Sequence, residues 1–266
     1  MRRLFVASCA LVAIIGMPLF LWPTETERNF AWTIRPPVTA AFMGAAYWAS
    51  FVVVFLALRE PTWARARIGL WFAFAFAWLT MVATFLHLDR FHLGAPFAPA
   101  ARIMTWTWLA VYVGVPLAQL ALVIGLGRTR GENAAIERRI PGWYRAVTGA
   151  IGLVSIAIGL ALFVAPAPVA ATLWPWPLTP LTGRTVGAWL VAWGVVAGQI
   201  AIEADWRRVR PGLAGLAAFA VLELVVLARF RDGLEWAGGR PAAFAVGAAT
   251  LLVVALAGFL LDRSAR

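Results

Sequence analysis

The amino-acid sequence is written twice. Displaced by 143 positions, with no gap, it sets Ile15, Gly16, Leu19, Phe20 and Pro23 on Ile158, Gly159, Leu162, Phe163 and Pro166. The register continues with Pro37, Thr39, Gly44 and Ala45 on Pro180, Thr182, Gly187 and Ala188. It then sets Glu60, Trp63, Arg65, Arg67, Gly69 and Leu70 on Glu203, Trp206, Arg208, Arg210, Gly212 and Leu213. Glu, Trp and Arg are too scarce here for shared apolar composition to produce those coincidences. A match of this length restricts the chain to two copies of one unit before any local reading begins.

What that unit is follows from its polarity. Of 266 residues, 62% are hydrophobic and 13% charged, more apolar surface than a water-soluble domain can hide. Apolar runs recur that are long enough to cross about 30 Å of hydrocarbon as helices. Eight are expected: Leu4 to Leu21, Thr39 to Leu58, Ile68 to His87, Ile103 to Leu126, Ala146 to Val164, Thr185 to Ile202, Leu213 to Ala228 and Ala242 to Leu261. The fold class is therefore an all-α polytopic membrane protein of about eight transmembrane helices. Four spans per copy give the second copy the polarity of the first, so the two four-helix repeats are parallel rather than inverted. The expected units are residues 1–131 and 140–266, joined by a polar cytoplasmic linker at 132–139.

Arginine sets the expected orientation, because basic loops are retained on the cytoplasmic side. Eight spans put 15 Arg on the side of both termini and 8 on the other. That places a multi-pass protein in a bacterial inner membrane with both termini cytoplasmic. The net charge of +11 is then largely a topology signal, with anionic lipid headgroups as its natural partners. Arg spread over many short loops gives no basic domain, so nucleic acid is not an expected partner. The chain has no Lys, which excludes a Schiff base with retinal or pyridoxal and a phosphate-loop lysine. The lone Cys9 excludes an internal disulfide. Met1, Arg2 and Arg3 before an apolar stretch resemble a signal peptide, yet the match with the fifth span argues for a retained helix.

Candidate sites are few. The Pro- and Trp-rich passages Pro23 to Val38 and Ala165 to Arg184 are expected to be ordered loops on the outer face, with proline opposing regular helix. Their Trp32, Trp174 and Trp176 are candidate stacking surfaces over a cavity between the halves. Glu223 is a carboxylate inside an apolar span, and an ionisable group there is a functional candidate by default. Gln119 and Gln199 are expected as interhelical hydrogen-bond partners. His87, Asp89 and His92, with Asp232 and Glu235 at or near the equivalent positions, are candidate ligands of a first-row metal. Two imidazoles five residues apart do not share one helical face, so the pattern is unspecific. No cofactor other than such a metal is expected. There is no Ser/His/Asp set, paired-acid constellation or glycine-rich nucleotide loop, so no catalytic residue is assigned.

The strings Ala31-Trp32-Thr33-Ile34-Arg35-Pro36-Pro37-Val38-Thr39-Ala40, His87 to His92 and Trp174 to Thr182 resemble a family of multi-pass membrane proteins from high-GC, actinobacterial-type bacteria. The resemblance implies location and nothing about chemistry, because no activity is established for that family. Three functions are compatible with the residues. The leading one is binding or translocation of a small or lipophilic molecule between the halves. The others are a non-catalytic subunit or scaffold of a membrane complex, and a metal-dependent membrane enzyme using His87, Asp89 and His92.

Overall fold

The computed structural model describes residues 2–127 and 135–264. Arg128, Arg130, Arg266 and the expected unit boundary at 131–134 lie outside the described residues. Among the described residues ten α-helices run in chain order: α1 Arg2–Leu21, α2 Thr26–Asn29, α3 Pro37–Arg59, α4 Trp63–Leu86, α5 Pro99–Gly127, α6 Gly142–Val164, α7 Pro166–Leu173, α8 Pro180–Glu203, α9 Trp206–Arg229 and α10 Arg240–Ser264. No named β-strand occurs among the described residues. Seven helices, α3 to α6 and α8 to α10, are long and apolar enough to cross a membrane; α1, apolar over Val6–Leu21, is shorter. The protein is an all-α polytopic membrane protein.

Helix starts lie earlier than the apolar runs. Helix α4 begins at Trp63 and α9 at Trp206, so Arg65, Arg67, Arg207, Arg208 and Arg210 sit in first turns. Proline, expected to oppose helix in the outer passages, instead initiates it: Pro37, Pro166 and Pro180 occupy first helical turns. A first-turn residue has no intrahelical acceptor for its N–H, so the donor that proline lacks is not missed there. The Ala165 to Arg184 passage therefore contains helix α7 and the start of α8, with a short extended stretch around Trp174 between them.

Helices 143 positions apart make matching contacts. Helix α1 packs along α3 as α6 packs along α8, and across the molecule α3 meets α9 as α8 meets α4. Helices α3 and α8 are central, whereas α5, α6 and α10 present most of their surface outward. The α6–α8 seam is made of glycine. A Cβ at Gly159 would lie 2.7 Å from the Gly187 carbonyl oxygen, and one at Gly152 would lie 2.8 Å from that of Gly194. Backbones approach that closely only without side chains between them, the usual solution for helices that meet in lipid.

Between the halves the space is filled by aromatic rings. Trp189 stacks on Phe76 at 3.7 Å between centroids, and Trp193 lies 4.7 Å from Phe72 and 4.8 Å from Phe219. At the other end of the helices the halves are joined by charge. Glu203 receives both the Arg67 guanidinium from α4 and Arg208 from its own elbow, the latter at 3.5 Å. In the elbow between α8 and α9, Glu203 thus pairs with Arg208, five residues on, while Arg67 reaches across. Residues 135–140 cross this layer as a strap: Ile140 N–H donates to Ala204 O and Trp206 N–H to Arg138 O, both at 2.9 Å. Glu137 of the strap binds Arg65 and Arg207, each at 2.6 Å. The hydrogen bond from Arg65, with the charges of Arg65, Arg207 and Arg208, holds its carboxyl below the usual carboxylate range. Arg138 pairs with the buried Asp262 of α10, tying the strap to the last helix.

Candidate functional site

A groove of about 550 Å³ opens between α6 and α10. Helix α6 rests on α8 and α10 on α9, and beyond the Leu251 end of the groove Tyr144 of α6 donates to Val254 O of α10 at 2.8 Å. The walls are Ile151, Val154 and Ile158 on one side and Phe244, Gly247 and Leu251 on the other. Leu190 and Phe219 form the floor, and Trp174 closes one end. On α10 the lining extends from Arg240 to Leu251, about 16 Å at 1.5 Å per residue. Val154 on the rim is 57% exposed, so the groove opens sideways, toward the lipid in a membrane. Its volume is that of a pocket for a drug-sized ligand.

Glu223 belongs to this lining. The residue is fully buried, and neither carboxyl oxygen has a hydrogen-bond partner. Its position on α9, six residues before the helix ends at Arg229, sets it about 9 Å inside that end. A buried carboxyl without partners loses the solvation of its ionised form and gains nothing in return, so such a group calls for a partner from outside the protein. Trp174 also lines the groove, and its indole N–H is buried and unpartnered. Arg240 stands at the rim with its guanidinium donating to Ala171 O at 2.7 Å.

The other aromatic candidates separate from these two. Trp176 packs behind the groove, 5.8 Å from the Phe244 ring and 5.3 Å from Trp174, and donates to Thr39 Oγ1 at 2.9 Å. Trp32 lies in the first half, enclosed by Phe30 at 4.7 Å, Trp108 at 4.9 Å and Phe91 at 5.2 Å. It is a core residue and offers no free face. Gln119 and Gln199, expected to bond across helices, leave their Oε1 atoms without partners.

The histidine segment is a structural pin. His92 is buried, with Nδ1 at 2.8 Å from Phe30 O and Nε2 at 3.1 Å from Thr33 Oγ1, and its backbone N–H donates to Ala31 O at 2.9 Å. Both ring nitrogens are thereby engaged with the passage that carries Trp32. His87 Nε2 meets the Arg184 guanidinium at 2.8 Å instead of an anion. Burial first, and then the Arg184 charge, hold its imidazole below the ordinary histidine value. Asp89 pairs with its neighbour Arg90 at 3.0 Å and Asp232 with Arg231 at 3.4 Å, and Glu235 is exposed. His87, Asp89, His92, Asp232 and Glu235 are not brought together: no group of three or more metal-ligating side chains is found among the described residues.

Sequence reasoning singled out Glu223 and Trp174 but not Arg240, Phe219, Phe244 or the wall residues. The signal that reveals the wall is where the two copies disagree. Trp108, Tyr112, Tyr47 and Met104 of the first half correspond to Leu251, Ala255, Leu190 and Gly247, each smaller. Comparison with known proteins adds no relative: no family model matches, and no curated protein or solved structure is significantly similar.

Proposed function

We propose that this membrane protein binds a small lipophilic molecule in the groove between α6 and α10. The observation that carries the reading is a carboxyl with two unpartnered oxygens in the wall of a largely apolar cavity that opens sideways. The site differs from the one expected between the halves, where Trp189, Phe76, Trp193 and Phe219 fill the space. We further propose that α1 completes eight spans in two parallel four-helix repeats, supported by the residue match at an offset of 143 and the matching helix contacts. The excess of Arg at the elbows and strap supports a bacterial inner membrane with both termini cytoplasmic.

The test is native mass spectrometry of protein released in mild detergent. Wild type should carry one apolar small molecule or lipid per chain. Leu251→Trp, which restores the side chain present at Trp108 in the first half, should release it while the helical circular dichroism is unchanged. Equal ligand content in wild type and in Leu251→Trp would overturn the groove as the binding site.

A further inference from the structure

The geometry points to a lipophilic organic cation as the ligand of this groove, with the Glu223 carboxylate as its counter-ion. The inference rests on the groove reading above and adds the charge of the occupant. Among the groove's lining side chains, Glu223 is the only acidic one, and neither of its oxygens receives a hydrogen bond. No protein donor competes for those oxygens. A cation delivered by a ligand would stabilise the ionised form of a carboxyl that receives no hydrogen bond from the protein, in apolar surroundings where charge attraction is screened least.

The walls recognise the remainder of such a molecule. Phe219, Phe244 and Trp174 line the groove, the last two with ring centroids 5.4 Å apart at 75°. Aromatic faces attract a diffuse cation through their quadrupoles while also accepting hydrocarbon. Ile151, Val154, Ile158, Leu190 and Leu251 supply aliphatic surface and no hydrogen bonds. A compact, strongly hydrated cation would gain little there, whereas one that spreads its charge over apolar substituents fits both wall and floor. Arg240 is the opposing charge. Its guanidinium is tied to Ala171 O at the rim, so it is a gate to pass rather than a partner at Glu223.

Two isosteric ions of opposite sign test the sign of the site. Radiolabelled tetraphenylphosphonium and tetraphenylborate are dialysed separately against the purified chain in neutral-detergent micelles, with protein-free micelles as blank. A neutral fluorescent probe, N-phenyl-1-naphthylamine, reports groove occupancy in parallel. Tetraphenylphosphonium should bind saturably at one per chain, displace the probe, and bind at least tenfold more tightly than tetraphenylborate. Glu223→Gln, nearly isosteric, should weaken tetraphenylphosphonium at least tenfold and leave the probe bound. Borate binding as tight as phosphonium, or phosphonium binding unchanged in Glu223→Gln, overturns the cation and leaves the groove standing. Loss of the probe is expected in Leu251→Trp and in the rim variant Val154→Trp; probe binding retained in both, with each variant folded, removes the groove and the cation together.

Discussion

Two regions at the same offset in the two halves have opposite fates. In the first half, the space between α1 and α5 is occupied by Trp108, Tyr112 and Tyr47, which leave a residue of about 60 Å³. In the second, the corresponding space between α6 and α10 is lined by Leu251, Ala255 is one turn further along α10, and about 550 Å³ stays open. The polar groups differ in the same sense. Tyr47 and Tyr112 meet hydroxyl to hydroxyl at 2.6 Å, and Trp108 donates to Thr84 Oγ1 at 3.0 Å. Across the molecule, Glu223 takes the place of Thr80; both are buried without a hydrogen-bond partner, and only Glu223 is an acid. One half has used its inner surface for packing; the other leaves an open groove and a carboxyl without a partner.

The comparison breaks most severely if the first groove is emptied. Trp108→Ala should cost about 3–5 kcal/mol, the usual penalty for removing a large buried aromatic, and should lower the denaturant midpoint measured by circular dichroism. Emptying alone should not create a cation site, because Thr80 supplies no charge. The double change Trp108→Ala with Thr80→Glu should gain tetraphenylphosphonium binding. If the single change gains it equally, the carboxyl is not what distinguishes the halves.

A smaller loss is expected at the pin that holds the filled half. His92→Ala removes the hydrogen bonds made with Phe30 O and the Thr33 hydroxyl, and the stranded groups should cost about 2–3 kcal/mol in thermal or chemical unfolding. Cation binding at the other groove should be unaffected. Added zinc should leave the wild-type midpoint where it is; a zinc-dependent rise that vanishes in His92→Ala would restore the metal reading of the segment.

The smallest effect concerns His87, which joins the outer ends of α4 and α8. Its imidazole titrates below the ordinary histidine value because burial and Arg184 disfavour the charged form. For a base whose folded value is depressed, the folded state resists protonation more than the unfolded state. Stability is therefore full above the unfolded value and declines as pH falls through it. Carbon-bound ring proton shifts in nuclear magnetic resonance should show the depressed titration, and Arg184→Gln should raise it only in part, since burial remains the larger cause. A complete return to the ordinary value would assign the effect to Arg184 alone.

Much of this architecture was legible in the residues. Apolar runs gave the helices and the offset gave which of them correspond, because both are read along the chain; which helices pack together was not legible there. Helix starts were read too late, since a window of apolarity discards first turns that carry Arg65 and Arg67 or Arg207, Arg208 and Arg210. Glu223 and Trp174 were recognised as candidates because a carboxyl in an apolar span and an indole in a proline-rich passage are anomalous in one dimension. That they line one cavity, while Trp32 is sealed behind Phe30, Phe91 and Trp108, is set by side chains far apart in sequence.

The sequence by itself determined that the chain is helical and belongs in a membrane, and it carries matching residues at an offset of 143, because each of these is written along the chain in hydrophobicity and recurrence. Only the tertiary structure decided that the groove lies inside the second half rather than between the halves, and that both ring nitrogens of His92 meet protein groups. Those outcomes depend on which neighbour fills a given volume and which acceptor a ring nitrogen meets, and such pairings exist only once the helices have packed.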